Sequence, residues 1–370
     1  MQEGLVIRTT GSWYRVLLFS EQCSVFSGAT QPIDNQLNTK HLTLNTQAVD
    51  CRLRGNYRLR GNKQTNPVAV GDRVLIELQD DGTGIIHEVQ DRRNYIVRRA
   101  TKLSKQTHVL AATIDLLCIV ATLGLPRTST GFIDRLLVTA EAYHIPAAIL
   151  FNKCDLISAE VGDRRAGLEY ASDNSALRTL TTELVNMYRS VGYPVLEISA
   201  LTGQGLDEVR TLIAGKTVLF SGHSGVGKSA LLNALCPGLD LRTGDLSDWS
   251  LKGKHTTTFA EIFPVQLSTF NFPACLQALS SAESNIISEK LSTFLIDTPG
   301  IKEFGMVDFN AQELSHFFPE MRAVLHDCRF ANCTHRHEPG CAVMQAVDDG
   351  RIPAERYRNY LNILESVGSI

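Results

Sequence analysis

Between residues 1 and 98 apolar positions recur in short stretches: Gly4–Thr9, Trp13–Phe19, Ala48–Leu53, Arg73–Glu77 and Gly84–Val89. Turn chemistry separates them at Thr10-Gly11, Gly55-Asn56, Gly61-Asn62 and Asp81-Gly82. Many short strands punctuated in this way predict a small β-barrel. Ser27–Asn45 is polar and predicts a long loop. After Arg99 the pattern changes. Leu116–Ala121 is continuously apolar, as expected of a strand buried on both faces. A helical pattern follows over Phe132–His144, with Ile133, Leu136, Leu137, Ala140 and Tyr143 on one side. Further apolar runs recur at Ala147–Phe151, Val195–Ile198, Thr217–Phe220 and Thr293–Ile296. Strands alternating with helices predict an α/β domain with a mainly parallel sheet. A final helix is expected over Pro353–Ser366 with Tyr357, Tyr360, Leu361 and Leu364 on its apolar face. Leu267–Leu291 carries no strong motif and reads as an insertion.

At 370 residues the chain suits about two or three domains. A hydrophobic content of 44% with 20% charged residues is ordinary for a water-soluble fold. No apolar run reaches the ~20 residues of a membrane span. Met1-Gln2-Glu3-Gly4 lacks the basic-then-apolar layout of a signal peptide, so a cytoplasmic protein with no membrane partner is expected. The net charge of −3 gives no global attraction to nucleic acid, and such contacts would need a local patch.

Chemistry concentrates in four places. The first is Gly222-His223-Ser224-Gly225-Val226-Gly227-Lys228-Ser229, between the apolar run Thr217–Phe220 and the helical pattern Ala230–Leu235. A strand, a glycine loop and a helix start in that order form a phosphate cradle of converging backbone N–H groups. Lys228 would reach the β- and γ-phosphates and Ser229 would ligate Mg²⁺, with Ala230 opening the helix. This motif alone does not separate ATP from GTP.

The second is Asn152-Lys153-Cys154-Asp155, at the end of the run Ala147–Phe151. A carboxylate at Asp155 can accept from the ring N–H and the 2-amino group of guanine together. Adenine offers neither donor and would leave a buried carboxylate unpaired. Ser199-Ala200-Leu201 follows the next strand and would present backbone to the guanine carbonyl. Together these favour GTP over ATP. Their order is inverted relative to Ras-like GTPases, with the base-reading tetrapeptide preceding the phosphate loop by about 70 residues. The inversion predicts a circularly permuted GTPase domain.

The third is the pair of nucleotide-sensing segments. Asp297-Thr298-Pro299-Gly300 follows an apolar run, so Asp297 would hold Mg²⁺ through water and the Gly300 N–H would meet the γ-phosphate. In Lys254-His255-Thr256-Thr257-Thr258, Thr257 or Thr258 would complete the Mg²⁺ shell. Ile301 stands where Ras-like enzymes carry a water-orienting Gln, so intrinsic hydrolysis should be slow. His255 is the nearest substitute, against its alternative reading as a plain loop residue. The candidate catalytic residues are Lys228, His255 and Thr257.

The fourth is Cys328-x4-Cys333-x-His335-x5-Cys341, a Cys₃His set for one tetrahedral, structural Zn²⁺, with His337 as a competing imidazole. Two basic stretches complete the inventory: Arg52, Arg54, Arg58, Arg60 and Lys63 around Tyr57, and Arg92, Arg93, Arg98, Arg99, Lys102 and Lys105. They suit a nucleic-acid surface on an OB-type barrel, and equally a solvated charged face.

The ordered set Asn-Lys-Cys-Asp, Ser-Ala-Leu, Gly-His-Ser-Gly-Val-Gly-Lys-Ser, His-Thr-Thr-Thr, Asp-Thr-Pro-Gly and Cys-x4-Cys-x-His-x5-Cys resembles the ribosome small-subunit-dependent GTPase A family over essentially the whole chain. Gly4-Leu5-Val6 and Val70-Gly71-Asp72-Arg73-Val74 resemble that family's barrel domain. The resemblance implies an OB-fold at 1–98, a permuted α/β P-loop GTPase at 99–308 and a small α-rich zinc domain at 309–370. It also implies a monomer that hydrolyses GTP to GDP, binds ribosomal RNA, acts late in maturation of the small ribosomal subunit and is stimulated by that subunit. His223 departs from the Gln of many members, and inserts near Asp163–Leu177 and Leu267–Leu291 are long. Two rivals stand: a nucleotide-gated, zinc-containing nucleic-acid-binding regulator without a ribosomal role, and an ATP-using P-loop enzyme. The permuted order also runs the chain from Asp297–Gly300 straight toward Cys328, which points to a nucleotide readout that moves the zinc domain against the barrel.

Overall fold

The computed structural model describes residues 1–18, 47–55, 67–99, 107–124, 126–158, 174–236, 261–265, 293–297 and 310–368. Ser27–Asn45, Leu267–Leu291, and residues 254–258 and 298–301 lie outside these.

Five strands make the N-terminal barrel: β1 (Gln2–Thr9), β2 (Tyr14–Leu18), β3 (Ala48–Leu53), β4 (Arg73–Leu78) and β5 (Gly84–Val89). Their neighbour order is β1-β2-β3-β5-β4, and β1 pairs with β4 to close the sheet on itself. The interior follows the period of two expected of a pleated strand. Val16 and Leu18 of β2, Val49 and Cys51 of β3, and Val74 and Ile76 of β4 all point inward. Burial pushes the Cys51 thiol up to about 12, so it fills space rather than reacts.

The barrel leads into an antiparallel hairpin, β6 (Tyr95–Arg99) and β7 (Thr107–Ala112), that the sequence pattern did not predict. It holds part of the second basic stretch.

The α/β domain follows. Its elements are β8 (Leu116–Ala121), α1 (Thr130–Ala142), β9 (Ala147–Phe151), α2 (Asp155–Ser158), α3 (Asn174–Ser190), β10 (Val195–Glu197), α4 (Leu206–Ile213), β11 (Thr217–Ser221), α5 (Lys228–Leu235), β12 (Glu261–Val265) and β13 (Thr293–Asp297). The strand order is β10-β9-β8-β11-β13-β12, parallel except for β12. Every residue of β8 is buried because both of its faces are covered. Leu117, Ile119 and Ala121 join one core with α1 and α3, while Leu116, Cys118 and Val120 join the other with α4 and α5. The two sheets run together, since β1 pairs with β12 at Arg8↔Glu261.

The C-terminal unit is helical: a 3₁₀ turn at Leu314–Phe317, α6 (Pro319–Arg322), a second 3₁₀ turn at Leu325–Asp327, then α7 (Ala342–Asp348) and α8 (Ala354–Gly368). Phe318, Met321, Val343, Ala346, Tyr360 and Ile363 form its core, to which α1 contributes Val138. Asp134 of α1, Glu320 of α6 and Arg356 of α8 meet inside this junction with side chains 0%, 5% and 0% exposed.

Candidate functional site

Strand order decides where the chemistry sits. Strands β9 and β11 flank β8, so the loops leaving their carboxyl ends are adjacent, the usual ligand position of an open α/β sheet. The first loop carries Asn152–Asp155 and the second Gly222–Ser229.

A single buried carboxamide ties the loops together. Asn152 Nδ2 donates to the Val226 carbonyl at 2.8 Å, and Asn152 Oδ1 accepts from the Ala200 N–H at 3.0 Å. The Asn152 backbone N–H is anchored to the Ala121 carbonyl of β8 at 2.8 Å. Lys153 adopts a left-handed backbone with φ of 66°, and its Nζ donates to the Gly225 carbonyl at 2.8 Å. Asp155 Oδ1 accepts from Ser199 Oγ at 2.6 Å, and Ser199 Oγ accepts from the Thr202 N–H at 3.1 Å. These bonds bring Asn152, Lys153, Asp155, Ser199 and Ala200 to one place, beside the phosphate loop. Cys154 is buried, and burial followed by the Asp155 carboxylate pushes its thiol up, which makes it a packing residue.

The phosphate loop needs its glycines for stated reasons. A Cβ on Gly222 would run into the Val120 carbonyl. Gly227 has φ of 89°, and a Cβ there would lie 2.6 Å from Asn152 Nδ2. Gly227 also caps α5, so the helix amino end opens onto the loop. Lys228 Nζ donates to the carbonyls of Gly222 at 2.5 Å and His223 at 2.8 Å, which holds the ammonium across the loop. The His223 ring stacks on Phe132 of α1, with centroids 3.7 Å apart and planes 27° apart. Burial and the Lys228 charge lower its pKa, which favours the neutral imidazole. Ser224, Gly225, Ser229 and Ala230 complete the loop and the start of α5 without strain at any non-glycine residue.

Asp297 ends β13, where its Cα pairs with Glu261. His255, Thr257, Thr258 and Gly300 lie outside the described residues.

Comparison with known proteins decides the family. Residues 89–270 match the RsgA GTPase family and residues 42–86 the RsgA N-terminal domain. A protein of Bacteroides fragilis (strain YCH46) named small ribosomal subunit biogenesis GTPase RsgA is 44% identical over 363 residues, covering 98% of this chain and 96% of that protein. One of the same name from Porphyromonas gingivalis (strain ATCC 33277) is 45% identical over 85% of this chain and 89% of that protein. The chain belongs to the RsgA family of GTPases. The crystal structure of YjeQ from Thermotoga maritima superposes with a TM-score of 0.68 at 28% identity, covering 99% of this chain and 98% of that one. YloQ, described as a circularly permuted GTPase, gives 0.65 at 25% identity, covering 100% and 96%. The RsgA fold thus accounts for the inverted motif order.

This RsgA chain also gathers a candidate metal-ligand cluster. The ligand atoms of Cys328, Cys333, His335 and Cys341 all lie within 4.8 Å of one another. His335 Nδ1 lies 3.4 Å from Cys341 Sγ and 3.7 Å from Cys328 Sγ. Burial pushes the Cys333 thiol up to about 12 and lowers the His335 pKa. Three thiols and a neutral imidazole gathered this closely suit Zn²⁺, whose charge converts such thiols to thiolates. Competing His337 is not among these four. His335 has φ of 58°, and its carbonyl accepts from Tyr357 OH at 2.6 Å. Glu338 holds the loop from below, accepting from Thr334 N at 2.7 Å, Thr334 Oγ1 at 2.5 Å, Arg336 N at 2.9 Å and His337 N at 3.2 Å. Burial works against the Glu338 charge, but these donors outweigh it and hold the carboxyl well below the usual range.

The two basic stretches separate in the structure. Arg92 forms a bidentate pair with the buried Asp72 at 2.7 and 2.8 Å, so it braces the barrel rather than offering a free charge. Arg93 pairs with Asp115 at 2.5 Å. Arg52 instead stacks over the Trp13 ring at 4.0 Å, an aromatic–cation pair on the barrel. Residues 57, 58, 60, 63, 102 and 105 lie outside the described residues, and for Arg98 and Arg99 only the backbone is described.

Sequence reasoning missed the Phe132–His223 stack, the buried Asp134–Arg356–Glu320 cluster and the Glu338 cradle. The first two join residues far apart in the chain and leave no local pattern. Glu338 did carry a signal, being an acidic residue inside the Cys/His loop.

Proposed function

We propose that this GTPase is a late maturation factor of the small ribosomal subunit, gripping ribosomal RNA in its GTP state and leaving on hydrolysis. The observation that carries the reading is the Asn152 bridge, which makes the base-reading and phosphate loops one rigid unit. In this reading Asp155 pairs with guanine, Lys153 packs along the base, and Ser199 aims the Asp155 carboxylate. The loop amides of Gly222–Gly227 and the Lys228 ammonium neutralise the β- and γ-phosphates. Ser229 and Asp297 would hold Mg²⁺, with Thr257 or Thr258 completing the shell and the Gly300 N–H meeting the γ-phosphate. Lys228, His255 and Thr257 are the catalytic candidates. Cys328, Cys333, His335 and Cys341 would hold one structural Zn²⁺.

The chain would act as a monomer in the cytoplasm, with units at 1–98, 99–308 and 309–370. No helix among the described residues is long and apolar enough to cross a membrane. The relatives' names supply the small-subunit role. With Ile301 in place of a water-orienting Gln, the subunit would complete the catalytic arrangement. GTP turnover measured with and without purified small subunits tests this. The expected result is strong stimulation. Equal rates, with no GTP-dependent co-sedimentation, would favour a nucleotide-gated regulator without a ribosomal role.

A further inference from the structure

The first two turns of α1 face two different structures. Thr130 and Asp134 lie four apart, on one helix face, and meet α8. Thr130 Oγ1 donates to Glu355 Oε1 at 2.6 Å. Asp134 accepts from Arg356 NH1 at 2.6 Å and Asn359 Nδ2 at 2.6 Å. Phe132, between them, turns the other way and stacks on His223 at 3.7 Å. The carbonyl of that same His223 accepts from Lys228 Nζ at 2.8 Å. One continuous set of contacts therefore runs from the zinc-bearing domain to the lysine of the phosphate loop.

We infer that His223 is a positioning residue for nucleotide binding: stacked on Phe132, it transmits the docking of the C-terminal domain on α1 to the phosphate loop and to Lys228. The inference rests on reading Gly222–Ser229 as the phosphate site. The ring is suited to this task because it is flat and half-buried against α1. Its lowered pKa keeps the imidazole neutral beside Lys228, so it stacks without opposing the ammonium. The loop is then set by the place of α1, and α1 is set by α8. Nothing in the P-loop chemistry requires an aromatic ring at position 223, whose backbone alone forms the cradle. The contact adds a dependence on the C-terminal domain that a backbone cradle does not need.

The test is a double-mutant cycle on the full-length protein loaded with zinc, read as affinity for GDP and for a non-hydrolysable GTP analogue. His223→Ala should weaken binding roughly three- to tenfold, the range of one lost aromatic pair. Thr130→Val removes only the hydroxyl that α8 receives and should weaken binding roughly twofold to fivefold although it lies outside the phosphate loop. In the His223→Ala background Thr130→Val should have no further effect, because the connection is already cut. His223→Phe keeps a flat ring and should restore affinity. Additive losses, an unchanged His223→Ala protein, or a His223→Phe protein as weak as the alanine variant would each overturn the inference. Failure of the unaltered protein to bind either nucleotide would overturn the phosphate-site reading, and with it this inference.

Discussion

Arg356 and Asp134 meet at 2.6 Å with both side chains fully buried, and this pair fastens the C-terminal domain to α1. Arg356 also binds Glu320 at 2.7 Å and lies 4.7 Å from the Phe318 ring centroid. Burial works against the guanidinium charge, but the two carboxylates more than offset it and raise its pKa. Asp134 accepts from Arg356, Asn359 and Tyr188, which together satisfy its carboxylate. A buried pair of this kind matters chiefly when it is broken. Arg356→Leu would strand two buried carboxylates and should cost about 3–5 kcal/mol, read as a lowered urea midpoint. Arg356→Lys should recover part of this, since an ammonium keeps the charge but not the forked geometry. A loss below ~1 kcal/mol for the leucine variant would show that the junction is not held by this pair.

Much of this architecture is legible in the chain. The runs Leu116–Ala121 and Ala147–Phe151 coincide with strands because burial on both faces leaves a continuous apolar signature. The barrel strands emerge because turn residues punctuate them. The hairpin β6–β7 was not legible, since Tyr95–Arg99 mixes apolar and basic residues and stands out only as part of a basic stretch. The basic stretch from Arg92 to Lys105 reads equally as a nucleic-acid surface or a solvated charged face, yet Arg92 serves Asp72. The candidate phosphate and base-reading motifs stand out in the sequence because each encodes a local chemistry. Their mutual contacts, such as Asn152 with Val226 and Ala200, are tertiary and carry no periodic signal.

Gly227→Ala should damage both nucleotide binding and stability. The substitution forces a Cβ to 2.6 Å from Asn152 Nδ2 and requires a left-handed φ of 89°. The backbone strain alone is worth about 1–3 kcal/mol. The expected outcome is a Kd for GDP raised at least roughly tenfold together with a melting temperature lowered by several degrees. Equal affinity would mean that the Asn152 bridge does not organise the phosphate loop.

Asp155→Asn should move base preference from GTP to XTP. Xanthine presents a carbonyl where guanine has its amino group, so an amide donor replaces the carboxylate acceptor. Ser199 Oγ would still meet the residue-155 carbonyl oxygen, which preserves the local geometry. Turnover of GTP and XTP by the variant checks the exchange. Unchanged GTP preference would place guanine elsewhere.

The Cys/His loop should depend on Glu338 although that carboxylate is not among its four candidate ligands. It accepts four donors from Thr334, Arg336 and His337, on both sides of His335, whose φ is 58°. Replacing it by Gln removes the charge and one acceptor oxygen, and should loosen the His335 backbone. Zinc affinity measured by competition with a chelator should fall about tenfold, the lower end for groups that orient metal ligands. Cys333→Ala removes a ligand outright and should abolish stable zinc binding while leaving GTP binding measurable. If Glu338→Gln held zinc as tightly as the unaltered protein, the cradle would be incidental.

The two domain junctions differ in kind, and this decides where movement should occur. The C-terminal domain is fixed to α1 by buried, multiply bonded charges. The barrel meets the GTPase domain through Leu5 and Val70, which are buried in that domain's core, and at its edge through Arg8↔Glu261 of β1 and β12, where the ion pair is 3.8 Å long with side chains 43% and 39% exposed. An exposed pair of that length contributes at most about 1 kcal/mol. Glu261 follows Thr258 by three residues, so this exposed polar edge of the barrel seam lies next in sequence to a candidate nucleotide-sensing segment. The permuted order suggested a zinc domain displaced by nucleotide. The buried charge clamp, set against the exposed polar edge of the barrel seam, favours motion of the barrel, with the GTPase and C-terminal units travelling together. Spin labels on the barrel, the GTPase domain and α8 would measure this. Between GDP and a GTP analogue, barrel distances should change by several ångströms and the GTPase-to-α8 distance should not. A shift confined to α8 would assign the motion to the zinc domain after all. Glu261→Lys, which sets like charges across the seam, should broaden the barrel distances without altering those within the GTPase–zinc unit.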